Sequence, residues 1–426
     1  MKRYSEYKDS GVKWIGEIPG HWDTPRIKSV AIFNPSKSTV NYQKVGYAPM
    51  DCIRCGNITA GIIDYKKLPT GLTYFENEDI VVAKVTPCFE NGNIAIAKNL
   101  HNGCAYGSSE LFVFRCYGVE NRYLFYYMQD EKFKHKCCST MTGTGGLKRI
   151  SSSFIRNAFI PLPPLPEQEA IVTYLDTKVA KIDEYISIAE KKIAALEELK
   201  QTIIAEAVTR GIHKDVLMKD SGVKWIGMIP EHWKVMRLSQ IAYEHFISNK
   251  KIHHQNLLSL SYGQIIRKDI NGTNGLLPAS FDTYQVVEEG NIILRLTDLQ
   301  NDHKSLRVGL VKETGIITSA YLCLAPKNMV YSKFLYFQLH ACDIKKVFYS
   351  MGDGLRQSLN YDGMRKLASV IPPLPEQQEI VTYIEAKVAK IDQLCQAERS
   401  QIEKLKEYKQ RLISDVVTGK VKVTND

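Results

Sequence analysis

At 426 residues the chain is too long for one ordinary hydrophobic core and suits two or three domains. Its 44% hydrophobic and 24% charged content excludes disordered and fibrous classes. No apolar run reaches the ~18 residues of a membrane span, and the charged first 30 residues hold no signal-peptide core, so a cytoplasmic protein is expected. The 56 Lys+Arg against 46 Asp+Glu leave a net charge of +10. That surplus favours a polyanionic partner, of which nucleic acid is the usual one. Ten scattered cysteines do not make a disulfide framework. Cys52, Cys55, His101 and Cys104 have the spacing of a zinc set. Free cysteine is as readily a core residue, and the second half of the chain has no equivalent set, so no metal is expected.

Taken in chain order, residues 8–16 (Lys-Asp-Ser-Gly-Val-Lys-Trp-Ile-Gly) return unchanged as 219–227, and Ile18-Pro19 and His21-Trp22 return as Ile229-Pro230 and His232-Trp233. The chain is therefore a tandem duplication of a unit of about 210 residues, a period too long for a solenoid. Residues 23–150 form a first variable block. Short runs such as Ile80–Ala83, Ile94–Ala97 and Leu111–Phe114, separated by Gly and Asn turns, read as strands. Residues 120–138 read as one amphipathic helix. Pro163-Pro164-Leu165-Pro166-Glu167-Gln168 then opens a long helix along which Val172, Leu175, Val179, Ile182, Ile186, Ala189, Ile193, Leu196 and Ile203 step by threes, fours and sevens.

The second block, 234–360, has the same skeleton with other letters. Ile292–Thr297 matches Val81–Thr86, Ser332–Leu339 matches the helix near 125, and Met351–Gln357 matches Thr144–Arg149. Pro372-Pro373-Leu374-Pro375-Glu376-Gln377 opens a second long helix with Val381, Ile384, Val388, Ile391, Cys395, Ile402, Leu405, Leu412 and Val416 on one stripe. Glu398, Lys200 and Lys409 interrupt the seams. Prolines before each helix and Gly211 and Gly419 after it are fitting stops. Forty-odd residues make a rod of roughly 60 Å.

The expected fold class is α+β, a tandem pseudo-two-fold duplication. Two strand-rich mixed domains (1–165 and 212–374) are joined by two long helices (166–211 and 375–420) packed as an antiparallel coiled coil. No catalytic motif survives inspection. Thr142-Gly-Thr-Gly-Gly146 is followed by Leu-Lys-Arg rather than a βαβ helix, and Val417-Thr-Gly-Lys420 lacks the rest of a Walker sequence. No Asn-Pro-Pro-aromatic or HExxH motif is present, so a binding protein fits better than an enzyme.

The paired Trp-Ile-Gly-x-Ile-Pro-x-His-Trp openings, the paired Pro-Leu-Pro-Glu-Gln helix starts and Ala83-Lys-Val-Thr-Pro-Cys-Phe-Glu-Asn-Gly92 resemble the specificity subunit of type I restriction–modification systems. The resemblance covers essentially the whole chain, in the order variable domain, helix, variable domain, helix. It departs at Leu296-Thr297-Asp298-Leu299, where the first domain has its Pro-Cys-Phe form. The resemblance implies a non-catalytic subunit reading a bipartite, asymmetric double-stranded DNA site, one half per target-recognition domain. It also implies two methyltransferase subunits carrying S-adenosylmethionine, motor-nuclease subunits carrying ATP and Mg, and no cofactor on this chain. Lys and Arg would hold phosphates, and polar side chains would reach base edges. The candidates are Lys84, Thr86, Asn91, Asn93, Lys148 and Arg149 in the first domain, and Arg295, Thr297, Gln300, Arg356 and Gln357 in the second. The outer helix face with Lys178, Lys181, Lys387 and Lys390 is the expected dock for partner subunits. An anti-restriction decoy, a methylation-only partner and a coiled-coil scaffold are the competing readings.

Overall fold

A computed structural model describes residues 2–37, 42–54, 56–144, 146–213, 215–270, 278, 280–299, 306–351 and 358–423. The prolines of each repeat start the helices they precede: Leu165–Arg210 is one helix of 46 residues and Leu374–Val417 another of 44. Each stops at a glycine in the left-handed region, Gly211 at φ 76° and Gly419 at φ 72°. At Gly419 a side chain is excluded twice over, because a Cβ would lie 2.3 Å from the Pro19 ring.

The chain divides into two compact units. One holds Met1–Ala189 with Arg399–Asp426, the other Glu190–Glu398. Each unit thus owns one variable block, part of the helix that follows it and part of the other long helix.

In the first unit, strand Ile80–Ala83 lies between Ile94–Ile96 and Leu111–Cys116, with Ala31–Phe33 beyond, all antiparallel. Every residue of Ile80–Ala83 is buried. Ile80 and Val82 enter the core that includes Trp22, Tyr123, Leu175 and Val416, while Val81 and Ala83 enter a second core with Phe75 and Ala105. That continuous apolar run is what a strand buried on both faces requires. A second sheet orders Gly61–Asp64, Lys44–Ala48, Cys104–Gly107 and Thr73–Glu76. The second unit repeats the first sheet as Ala242–Glu244, Leu322–Pro326, Ile292–Leu294 and Val308–Leu310. A three-stranded sheet of Ile247–Ser248, Gln285–Val287 and Gly315–Ile317 accompanies it.

The repeated motifs prove to be a fastening. The Glu167 carboxylate accepts hydrogen bonds from the Tyr4 hydroxyl at 2.5 Å and from Trp22 Nε1 at 3.1 Å, and it pairs with His21 Nε2 at 2.8 Å. Glu376 repeats this with Trp233 Nε1 at 3.0 Å and His232 Nε2 at 2.8 Å. The neighbouring amides tie the block helix to the long helix. Gln168 accepts from the Glu120 N–H and donates to the Pro163 carbonyl, both at 2.8 Å. Gln377 does the same with the Tyr331 N–H at 2.8 Å and the Pro372 carbonyl at 2.9 Å. The Glu-Gln pair therefore appears twice because each unit is closed by the same hydrogen bonds.

Within each unit the two helix segments run antiparallel. In the second, Lys192 pairs with Glu398 and Lys200 with Asp392, so one number rises as the other falls. In the first, Asp183 pairs with Lys409 at 2.7 Å while the helix start at Glu167 lies by Trp22, against which Gly419 also packs. The three residues that interrupt the apolar seams, Lys200, Glu398 and Lys409, are thus the charged members of these pairs. Each sits at the margin of the seam with its stem partly covered. Near the end of the first long helix the buried stripe passes through Ile204, Ala207 and Val208, and Ile203 is only half-buried. The shift is the drift of a 3.6-residue helix against a 3.5-residue repeat.

Partly exposed pairs of this kind contribute under about 1 kcal/mol each. Lys409→Ala should lower the unfolding free energy by no more than that. Lys409→Glu, which sets two carboxylates together, should cost more, and adding Asp183→Lys should recover most of the loss. A double-mutant cycle in thermal unfolding checks this.

The residues 120–138 form two helices, Asn121–Met128 and Glu131–Cys138, where the sequence suggested one. The break has a local cause: the Asp130 carboxylate accepts from the Phe133 N–H at 3.0 Å and caps a new helix. The second unit keeps a single helix, Ser332–Ile344.

That helix carries His340, whose Nε2 lies 3.2 Å from Gln201 Oε1. Burial, with Lys200 adding to it, pushes the imidazole down to about 4. A folded-state pKa below the unfolded value means that the unfolded chain binds the extra proton between the two. The contribution is fully present above about 6.5 and is lost as pH falls toward about 4. Urea midpoints should therefore drop between pH 7 and pH 5, and the drop should shrink in His340→Gln.

Candidate nucleic-acid interface

The strand Ile80–Ala83 delivers its chain into a cluster of loops. The Lys84 N–H bonds the Glu110 carbonyl at 3.0 Å, Thr86 N–H the Lys148 carbonyl at 3.0 Å, and Ile150 N–H the Lys84 carbonyl at 2.9 Å. These bonds bring residues 84–86, 108–110 and 146–150 together although they are far apart in sequence. The turn 87–93 closes on Phe89, whose ring is buried, with Asn91 N–H bonding the Pro87 carbonyl at 2.9 Å and Asn93 N–H the Cys88 carbonyl at 3.0 Å. The Asn93 carbonyl in turn accepts from Ala83 N–H at 3.0 Å. All six candidates of the first domain thus converge at one end of one sheet.

Their side chains are not equally available. The Thr86 hydroxyl donates to the Gly146 carbonyl and accepts from the Lys148 N–H, both at 3.0 Å, so Thr86 is a loop fastener. Arg149 grips both oxygens of Glu110 at 2.9 Å, and Lys84 Nζ donates to the Ser109 carbonyl at 2.7 Å, 3.9 Å from the same carboxylate. The Arg149 hydrogen bonds hold the Glu110 carboxyl below the usual carboxylate range. Lys148 is exposed. Sequence reasoning missed Glu110 because nothing local marks it; its partners are brought to it by strand pairing.

In the second unit the chain leaves Ile292–Leu294 into Arg295–Asp298. Here the organiser is Arg307, fully buried and also absent from the sequence candidates. Its guanidinium donates to the carbonyls of Arg295 at 3.1 Å, Thr297 at 2.8 Å and Asp298 at 3.1 Å. Its own N–H donates to the buried Asp343 carboxylate at 2.7 Å. A signal did exist: Asp343 is an acid on the buried side of an apolar helix, which calls for a donor. Thr297 is exposed and Arg295 half-buried. Gln300, Arg356 and Gln357 lie outside the described residues, as does Cys55 of the zinc set. Cys104 belongs to the cluster of Val45, Tyr74 and Tyr106, while Cys52 packs on a different one with Ala48 and Phe75. Those two thiols do not converge, and among the described residues no group of His, Cys, Asp and Glu could hold a metal ion.

On the long helices Lys178, Lys181, Lys387 and Lys390 are all exposed. Lys178 lies over the Tyr174 ring at 5.7 Å and Lys387 over Tyr383 at 5.5 Å. The same stripe, continued by threes and fours, exposes Tyr185 and Ile188 in the first unit and Leu394 in the second.

Residues 19–198 match the type I restriction modification DNA specificity domain. The chain is 32% identical over 194 residues to the type I restriction enzyme EcoAI specificity subunit of Escherichia coli, covering 44% of this chain and 33% of that one. It is 24% identical to the putative type I restriction enzyme MjaX specificity subunit of Methanocaldococcus jannaschii across 98% of both chains. Over residues 19–198 the chain is similar to type I specificity subunits. It spans less than half the length of two of the curated relatives it matches, the EcoAI subunit among them. A chain solved in work on complex assembly and conformational transition of the type I R-M system superposes with a TM-score of 0.70 at 16% identity, covering 94% of this chain and 98% of that one. That likeness concerns the fold. The two units carry one scaffold with different loop residues. Val82 faces Phe112 in the first unit as Leu294 faces Leu322 in the second, one residue out of step with the match of Val81–Thr86 to Ile292–Thr297 expected from the sequence. The pair immediately outside this shared register is Ala83 and Leu111 in one, Arg295 and Tyr321 in the other. Among the described residues no helix is long and apolar enough to cross a membrane.

Proposed function

We propose that this chain is the non-catalytic DNA-recognition subunit of a type I restriction–modification complex, each unit reading one half of a bipartite, asymmetric site in the major groove. The observation that carries the reading is the duplication of a scaffold whose loop-facing residues differ between copies. Two readers of one shape and unlike chemistry suit two unlike half-sites. The Lys84–Lys148–Arg149 loops would read one half and the Arg295–Thr297 loop the other, with Gln300, Arg356 and Gln357 further candidates there. The long helices would set the spacing between the halves.

The stripe of half-buried Tyr174 and exposed Lys178, Lys181, Tyr185 and Ile188, echoed by Tyr383, Lys387, Lys390 and Leu394, supports docking of two methyltransferase subunits on this chain. A second apolar stripe on a helix already paired through its first needs another helix to cover it. S-adenosylmethionine would belong to those methyltransferase subunits, and ATP and Mg to the motor-nuclease subunits. The site of work would be the cytoplasm, where the DNA is.

Co-expression with the methyltransferase of the same host tests this. The complex should retain one DNA sequence at salt concentrations that release all others, because base contacts persist while phosphate contacts are screened. Equal release of all sequences would refute the reading. Inserting four residues near Leu196 should alter the spacer the complex accepts; an unchanged spacer would remove the helices' role as a ruler.

A further inference from the structure

We infer that Glu110 is a specificity-determining residue whose carboxylate accepts a hydrogen bond from the exocyclic amino group of a cytosine or adenine in the half-site read by the first unit. The inference rests on the DNA-recognition reading and adds to it the chemical identity of one contact.

A carboxylate among loops that approach DNA is repelled by every phosphate, so it gives nothing to sequence-independent affinity. What it can do is accept a hydrogen bond from a base edge, and in the major groove the amino donors are cytosine N4 and adenine N6. Glu110 is placed for that role. It sits directly before strand Leu111–Cys116, between Lys84 and Arg149, with its side chain 27% exposed. Arg149 takes one acceptor site on each oxygen. An ionised carboxylate offers about four such sites, so acceptor capacity remains on both oxygens. Lys84 stands 3.9 Å away, beyond hydrogen-bond reach, and partly offsets the charge. The two-pronged grip of Arg149 fixes the plane of the carboxylate before any DNA arrives, which keeps the entropy lost on binding small.

The second unit supplies an internal comparison. The Ser108 hydroxyl accepts from the Glu110 N–H as the Thr318 hydroxyl accepts from the Ala320 N–H, and the Val113 and Cys323 carbonyls accept from the Asn34 and His245 N–H groups, so Glu110 and Ala320 occupy the same position. The ladder pairs Val82–Phe112 and Leu294–Leu322 are apolar in both units, whereas this position changes from a carboxylate to a methyl group. A residue needed only to steady the shared scaffold would have no reason to differ there; one that reads a base would.

The test uses the full chain in complex with its methyltransferase partner and a DNA library varied at each position of the bound site. In Glu110→Gln, discrimination should fall by roughly 10- to 100-fold at a single base pair of one half-site and stay unchanged elsewhere. At that base pair the wild type should prefer cytosine or adenine. Replacing that base by an analogue without its amino group should weaken the wild type by a similar factor and the variant little. Glu110→Asp, which keeps the charge but shortens the reach, gives the same readout should the glutamine variant fold poorly. Unchanged discrimination with a uniform gain or loss of affinity for all DNA would overturn the inference and leave Glu110 as an anchor for Arg149. A wild type with no sequence preference would instead overturn the DNA-recognition reading itself.

Discussion

Glu167→Ala should lower the stability of the first unit by about 3 kcal/mol, a fall of roughly 6–12 °C in midpoint for a unit of about 200 residues. Glu167 closes that unit. Its carboxylate is the acceptor for the Trp22 indole N–H, on a ring with no exposure, and for the hydroxyl of Tyr4, which is almost as deeply covered. Removing it leaves the buried Trp22 N–H without its acceptor and takes the partner from the Tyr4 hydroxyl, so the cost is largely desolvation rather than the small net worth of an exchanged hydrogen bond. Burial, then the bond to Glu167, already holds the Tyr4 hydroxyl far above its ordinary range, so it cannot respond by ionising. Glu167→Gln keeps an acceptor and should lose about 1 kcal/mol. Glu376→Ala should act likewise on the second unit, where Trp233 is as fully buried. Thermal unfolding followed by tryptophan fluorescence measures each effect. A Glu167→Ala midpoint within 2 °C of wild type would mean the fastening does not hold the unit.

Arg307→Met should abolish reading by the second unit while the first keeps its own. Methionine fills much of the arginine's volume but leaves the carbonyls of Arg295, Thr297 and Asp298 without their donor. At about 1 kcal/mol for each of the three hydrogen bonds lost, the loss should be about 3 kcal/mol. It falls on the segment that carries Arg295 and Thr297, so the consequence is a loop no longer held in one shape. Asp298, at φ 56°, adds backbone strain that the guanidinium helps to hold. Arg307→Lys keeps the charge but cannot fork to three carbonyls and should be intermediate. Binding measured on DNA altered in one half-site at a time should show discrimination lost in one half and retained in the other. Loss in both halves, or in neither, would contradict the assignment.

The large features were legible because they rest on period and repetition. The long helices announce themselves by 3,4 spacing between proline and glycine, and the duplication by nine unchanged letters. What the sequence hid was long-range. The Glu-Gln pair reads as the opening of a helix, yet its work is to bond Trp22, Glu120 and Tyr331, between 40 and 150 residues away. Lys200, Glu398 and Lys409 look like flaws in a seam until the opposing chain supplies Asp392, Lys192 and Asp183. The break at Gln129–Asp130 was in principle visible, since an aspartate three residues before Phe133 is a helix cap, but the apolar pattern runs through it. Within the candidate interface, loop residues were found by their type. Glu110 and Arg307, which orient those loops, were not, because an acid beside a basic cluster and an arginine ahead of an apolar strand have no local signature.

The central claim is that the two units read two different half-sites. The most direct measurement is to map methylated adenines in DNA exposed to the complex of this chain with its methyltransferase, for the wild type and for Arg307→Met. The wild type should mark a bipartite sequence of two unlike halves at constant separation, and the variant should keep one half while the other degenerates. A single uninterrupted motif, or a variant in which both halves decay together, would contradict the account.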